Sequence, residues 1–75
     1  MTFNFLKITE EITKKMNGIF KSFYIESLKI DTKKPIPVAT ALVVNTWEDM
    51  NKKTEFKFEI LGETMLECIE CKAVK

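Results

Sequence analysis

The chain contains no histidine and no arginine among its 75 residues. Without histidine it has no side chain that titrates near neutral pH unperturbed, no imidazole metal ligand and no imidazole base for a serine or cysteine nucleophile. Without arginine it lacks the planar group that grips phosphate, carboxylate or guanine through two hydrogen bonds, so lysine is its only cationic side chain. An AT-rich genome also encodes lysine in place of arginine, and codon bias is the simpler explanation.

Glycine and cysteine are scarce as well, at two residues each. So few glycines exclude a glycine-rich loop of the kind that cradles phosphates. Two cysteines are too few for the disulfide framework of a small secreted domain, which favours a reduced, cytoplasmic setting. No signal peptide is visible, and the longest weakly polar run, residues 35–44, is about half the length of a membrane helix. The sequence therefore predicts a soluble cytoplasmic protein that does not enter a membrane.

What is present is the composition of an ordinary folded domain, with 45% hydrophobic residues, 31% charged residues and a formal net charge of +1. The length predicts a single compact domain spanning residues 1–75, whose core alone is worth roughly 3–5 kcal/mol. We therefore expect the chain to gain stability from a partner protein or from a second copy of itself, as in a homodimer.

Apolar residues recur at steps of three and four near the start of the chain, which predicts an amphipathic helix. They are Phe5, Ile8, Ile12, Met16, Ile19 or Phe20, and Phe23. Gly18 is expected to end this helix, because glycine tolerates the left-handed conformation found there. The helix begins either at Phe3, with Thr2 as its cap, or after Thr9, and the longer helix is the preferred interpretation.

Four later segments favour β-strands. They are residues 23–30, 38–46, 54–61 and 65–74. The third alternates most cleanly, with Phe56, Phe58 and Ile60 on one side and charged residues on the other. The first breaks its alternation at Ile25 and Glu26. The last also fits a short helix, but a strand is preferred because a further strand would stabilise the hairpin before it.

These elements predict an α+β fold, in which an N-terminal amphipathic helix packs on a three- or four-stranded antiparallel sheet. The sheet face beneath the helix is expected to carry the apolar side chains of several strands. They are Tyr24 or Phe23, Leu28, Leu42, Val44, Phe56, Phe58 and Ile60. The other face is polar along residues 54–61, so part of the sheet is expected to face water.

Cys68 and Cys71 have the CxxC spacing of a redox pair or of half a zinc site. The adjoining Glu67 and Glu70 disfavour a thiolate. On a regular strand, positions i and i+3 also point to opposite faces unless a bulge intervenes. We therefore expect incidental cysteines and no cofactor. The alternative is a zinc-tied homodimer, in which two copies supply four thiolates.

Lys33-Lys34 and Lys52-Lys53 are candidate phosphate contacts of a nucleic-acid-associated protein. The net charge is near zero, however, and no aromatic signature of an RNA-binding module is present. A solvated surface is the simpler interpretation of these lysines, and a nucleic-acid partner remains the alternative.

Six phenylalanines, one tyrosine and one tryptophan are a large aromatic supply for a core of this size, so some rings are expected at a partner-binding surface. The residues predicted for that surface are Phe20, Phe23 and Tyr24 at the helix-to-strand transition and Trp47, Glu48 and Asp49 after the second strand. Acid–base catalysis needs a concave pocket, which so short a chain rarely builds. The sequence thus favours a non-catalytic protein-binding module, such as an accessory or inhibitory protein of bacterial or phage type.

Overall fold

The computed structural model of the chain describes residues 4–47, 52–62 and 64–74. A helix, α1 (Phe5–Asn17), is followed by four strands. They are β1 (Phe23–Asp31), β2 (Val38–Asn45), β3 (Lys52–Ile60) and β4 (Leu66–Val74). The strands form an antiparallel sheet in the order β1-β2-β3-β4. The predicted α+β fold is confirmed, and residues 66–74 form a strand.

Helix α1 begins one residue after Asn4, whose side-chain oxygen accepts a hydrogen bond from the N–H of Lys7 at 3.2 Å. This contact satisfies one of the free N–H groups of the first turn. Thr9 lies inside the helix and donates its hydroxyl proton to the carbonyl of Phe5. The shorter helix that would start after Thr9 is therefore wrong, whereas Thr2, the cap of the longer one, lies outside the described residues.

The helix ends at Gly18, as predicted, but not through a left-handed glycine. Gly18 has a φ of −80°, and its N–H donates to the carbonyl of Lys15 at 3.2 Å. The N–H groups of Ile19 and Phe20 donate to the carbonyl of Met16. A tightened last turn thus closes the helix and directs the chain towards β1.

The core lies between one stripe of α1 and one face of the sheet. The helix contributes Ile8, Ile12 and Met16, none more than 2% exposed, because steps of four residues place them on one side. The sheet contributes Ala39, Ala41, Val43, Phe56, Phe58, Ile60 and Leu66. Partly buried residues packed against this core are Phe20, Phe23, Ile25, Leu28 and Ile30. The core is therefore deepest along β2 and β3.

Strand β2 presents the opposite side to the helix from the one predicted. Ala41 pairs with Phe56 of β3 and shares its face, so Ala41 and Val43 enter the core. Leu42 and Val44 point to the other face, and their predicted place beneath the helix is wrong. Because β2 is apolar on both sides, its own alternation does not reveal which side faces the helix.

A β-bulge in β1 explains its broken alternation. The register with β2 shifts between Ile25 and Ser27, which leaves Glu26 as the extra residue. Phe23 therefore packs against the core, while Tyr24 points to the other face and is 51% exposed. Of the two residues proposed for the core position, Phe23 is the correct one.

The sheet face away from the helix carries the charged residues of β3, as the sequence predicted. Lys57 forms an ion pair with Glu70 of β4 at 3.2 Å, and Lys53 forms one with Glu26 of β1 at 3.1 Å. All four side chains are more than a third exposed, so each pair contributes at most about 1 kcal/mol.

Within the described ranges, no helix combines the length and the apolar character needed to cross a lipid bilayer.

Ile12 tests the helix–sheet contact directly. Because its side chain is fully buried, Ile12→Val should lower the free energy of unfolding by about 0.5–1.5 kcal/mol and Ile12→Ala by about 2–5 kcal/mol. Leu6→Ala, on the same helix but at a position that is 66% exposed, is the control and should cost less than about 0.5 kcal/mol. Urea unfolding followed by circular dichroism measures all three. Equal losses for Ile12→Ala and Leu6→Ala would contradict the assigned helix face.

Candidate functional site

The structure brings the two predicted aromatic groups together at one end of the sheet. Phe23 pairs with Asn45 in the β1–β2 ladder, so Trp47 lies beside the chain that enters β1. The N–H of Trp47 donates to the side-chain oxygen of Asn45 at 2.9 Å. The ammonium nitrogen of Lys21 stands 4.9 Å from the centroid of the Trp47 ring, a cation–π distance.

Hydrogen bonds extend the β1–β2 ladder beyond the ends of both strands. The N–H of Thr46 donates to the carbonyl of Ser22 at 3.0 Å, and the two hydroxyl groups hydrogen-bond to each other. These contacts fix the backbone as far as Trp47, whose side chain is 47% exposed. Glu48 and Asp49, the other residues predicted for this surface, lie outside the described residues.

The predicted aromatic residues divide into core and surface. Phe20 packs edge-to-face on Phe56, with 6.2 Å between ring centroids, and lies 6.1 Å from Phe23. Phe20 and Phe23 are both partly buried against the core. Tyr24 and Trp47 are about half exposed. Of the described aromatic residues predicted for the surface, these two offer a partner the most ring area.

A groove of about 520 Å³ lies between α1 and β1. Its helix wall consists of Thr9, Thr13 and Asn17, and its other wall is the segment of residues 21–25. The hydroxyls of both threonines donate to helix carbonyls, of Phe5 and Thr9, which leaves their oxygens able to accept from a ligand. Sequence reasoning missed this groove, because its lining residues are ordinary surface types brought together by the fold.

The strand wall of the groove carries backbone groups that point away from the sheet. The bond between Thr46 and Ser22 makes these two residues a hydrogen-bonded pair. Because such pairs alternate with non-hydrogen-bonded ones in an antiparallel ladder, Phe23 and Ile25 direct their N–H and C=O groups outwards, and Tyr24 directs its own towards β2. In the described part of the chain, the sheet ends at β1. The outward groups therefore form a free strand edge.

A second bulge places Cys68 and Cys71 on the same face of β4. Cys68 pairs with Phe58 and Cys71 pairs with Phe56, which leaves Ile69 as the extra residue. The expectation that the two thiols point to opposite faces, made for a regular strand, does not hold here. Both cysteines are exposed and free. The described residues contain no cluster of three or more cysteine or carboxylate side chains that could hold a metal ion.

The two predicted lysine pairs lie at opposite ends of the sheet. Lys33 and Lys34 belong to the β1–β2 connection, and Lys52 and Lys53 begin β3. The eight residues of β2 span the distance between these ends, which is about 25 Å at the usual rise of a strand. Lys53 is also engaged with Glu26 at 3.1 Å. The fold thus does not join the four lysines into one phosphate-binding patch.

Comparison with known proteins finds no match to the chain among protein-family models, curated proteins or solved structures. The candidate site is therefore interpreted from its geometry. That geometry consists of a free strand edge, a groove beside it and two exposed aromatic rings at its end.

Trp47 and Phe20 should differ in their importance for stability. Trp47→Ala should lower the free energy of unfolding by less than about 1 kcal/mol, because half of the ring already faces water. Phe20→Ala should cost more than about 1.5 kcal/mol, because it removes the contacts with Phe56 and Phe23. Urea unfolding followed by circular dichroism measures both losses. Tryptophan fluorescence is not suitable, because Trp47 is the only tryptophan and the Trp47→Ala variant lacks it. A larger loss for Trp47→Ala would remove Trp47 from the candidate surface.

Proposed function

We propose that this chain is a small, non-catalytic protein-binding module, whose β1 edge receives an extended segment of a partner protein. The observation that carries the proposal is the free edge of Phe23 and Ile25 beside a groove that α1 walls on one side. An added strand would hydrogen-bond to these outward groups and continue the sheet. Binding of this kind suits an accessory or inhibitory protein, because it masks a segment of the partner.

The chemistry of the groove suggests the character of the partner segment. In strand addition, main-chain hydrogen bonds supply affinity, and pockets for alternate side chains supply specificity. Thr9, Thr13 and Asn17 offer polar groups to small polar side chains. Lys21 is the only charged residue among the described residues that line the groove, and the ring of Trp47 helps to position its ammonium group. The favoured segment is therefore extended, with an acidic residue near Lys21.

The same lining supports binding over catalysis. Among the described lining residues the titratable ones are Lys21 and Tyr24, the ring of Tyr24 lies on the other face of the sheet, and none of these residues is a carboxylate or a thiol. General acid–base or nucleophilic catalysis needs such a group within hydrogen-bonding reach of a second one. A groove with this lining instead offers shape, hydrogen bonds and one positive charge, which are the properties of a recognition surface.

Proline substitution on β1 tests the proposal, because proline removes an N–H group. Ile25→Pro removes an outward N–H at the groove without breaking a β1–β2 hydrogen bond. Ile30→Pro is the matched control. Ile30 is also a partly buried isoleucine, but it does not line the groove. Its partner Ala39 is four residues from Val43, the partner of Ile25, so the N–H of Ile30 also points outwards. Circular dichroism checks that both variants fold.

The probe is a phage-displayed library of random linear peptides, selected on the wild-type protein. The enriched peptides should bind Ile25→Pro at least about tenfold more weakly and Ile30→Pro with wild-type affinity. If Ile25→Pro binds them as tightly as the wild type does, or if no linear peptide is enriched, the β1 edge is not a peptide-binding site.

The nucleic-acid alternative relies on Lys33, Lys34, Lys52 and Lys53, and the separation of the two pairs supports it less well. A salt series against duplex DNA distinguishes it from the proposal above. Phosphate contacts make the affinity fall steeply as salt rises, because binding releases counterions from the DNA. Strand addition depends on main-chain hydrogen bonds, so peptide affinity should change much less over the same series.

A further inference from the structure

Strand β4 is the least covered strand of the sheet. Cys68, Cys71 and Ala73 lie on the helix side but are exposed, although Phe58 and Phe56, the partners of the two cysteines in β3, belong to the core. Among the described residues, β4 is also an edge strand. Leu66 is buried in the core, but residues 67–73 are exposed on both faces and lie along a strand edge. Such an edge is a template for another strand, and folded proteins either protect it or pair it.

The directions of the β4 backbone groups follow from two hydrogen bonds. The N–H of Leu61 donates to the carbonyl of Met65 at 2.9 Å, so these two residues form a hydrogen-bonded pair. From that pair on, hydrogen-bonded and non-hydrogen-bonded pairs alternate along β3 and β4. The N–H of Ile60 donates to the carbonyl of Pro37, so Ile60, Phe58 and Phe56 direct their backbone groups towards β2. Their partners in β4, and the partner of Thr54, therefore direct theirs outwards. They are Leu66, Cys68, Cys71 and Ala73.

We propose that two copies of this chain pair in antiparallel fashion along β4, about a two-fold axis between Ile69 and Glu70. The four outward residues are placed symmetrically about that point, and the bulge at Ile69 produces the symmetry. Each outward residue of one copy thus meets an outward residue of the other. Leu66 lies opposite Ala73 of the second copy, and both residues are on the helix-side face, as an antiparallel pair requires.

Charge complementarity supports this register. Glu67 lies opposite Lys72 of the second copy, and both are exposed on the face away from the helix. The pair occurs twice in a symmetric dimer, and opposite charges across two strands stabilise their pairing. Glu70 lies near the axis, where like charges would meet, but Lys57 already pairs with it at 3.2 Å. A shift of one residue would place residues of opposite faces against each other.

The same register brings cysteines together. Cys68 lies opposite Cys71 of the second copy, on the face where both thiols are exposed. Residues in a hydrogen-bonded antiparallel pair have Cα atoms about 5.5 Å apart, within the range that a disulfide spans. The dimer therefore gathers four thiols, which is also the full ligand number of a structural zinc site. The zinc-tied homodimer inferred from the CxxC spacing would have this architecture.

The β4 dimer does not depend on the function proposed for β1. Pairing through β4 would join the two sheets into one of eight strands, with a β1 edge at each end. Both β1 edges would stay free to bind a partner segment. A failure of peptide binding at β1 and a failure of dimerisation at β4 are therefore separate results.

Complementary cysteine variants test the register. Cross-linking is started with the oxidant diamide. Diamide takes two electrons and two protons from two thiols, which leaves a disulfide and the hydrazine form of diamide. Cys68→Ser alone and Cys71→Ser alone should cross-link at least about tenfold more slowly than the wild type, because neither retained thiol lies opposite its own copy. A mixture of the two variants should cross-link rapidly between unlike chains. Non-reducing gel electrophoresis and mass spectrometry measure the rates and the pairs.

Charge exchange gives a second, independent measurement. Glu67→Lys should raise the dimer dissociation constant in analytical ultracentrifugation by about tenfold, and adding Lys72→Glu should restore it. The proposal is overturned if the single cysteine variants cross-link as fast as their mixture. It is also overturned if the reduced wild type sediments as a monomer at every concentration, or if the double charge exchange fails to restore the dimer.

Discussion

One stripe of α1 packs on one face of the sheet, and this contact joins the two layers of the fold. Ile8, Ile12 and Met16 belong to one buried cluster with the inward residues of the sheet, of which Ala39 and Ala41 are small and fully buried. Large side chains over small ones let the two layers approach closely. A single helix is only about as wide as two strands, however, and it buries β2 and β3 more completely than their neighbours. Both outer strands are left partly uncovered.

The two outer strands differ in what lies beside them. Each has a bulge, at Glu26 in β1 and at Ile69 in β4, and bulges interrupt the long flat edge that promotes uncontrolled aggregation. Beside β1, the helix forms one wall of a groove. Such a groove can select a segment of a partner protein by its side chains. Strand β4 instead carries residues that are complementary to those of a second copy of the same strand. The proposed division between a partner at β1 and a second copy at β4 follows from this difference.

Sequence reasoning succeeded where the signal is local. The helix stripe and the strand of Phe56 and Phe58 are visible because their periodicities are regular over several turns or residues. The inward side of β2 could not be predicted, because Ala41 and Leu42 are both apolar and only pairing with β3 decides between them. The break in alternation at Glu26 does signal a bulge. The groove and the contact between Lys21 and Trp47 could not be predicted, because they depend on tertiary packing and strand register, which bring together residues that are far apart in sequence.

Both outer strands are proposed to offer alternate backbone groups to new partners, and amide hydrogen exchange tests this residue by residue. In the dilute protein, the amides of Phe23 and Cys68 should exchange rapidly, while that of Tyr24 should be protected by its bond to β2. At concentrations where the dimer forms, the amide of Cys68 should become protected, and that of Phe23 should stay fast. Slow exchange at Phe23 in the free protein would contradict a free β1 edge, and exchange at Cys68 that does not change with concentration would contradict pairing along β4.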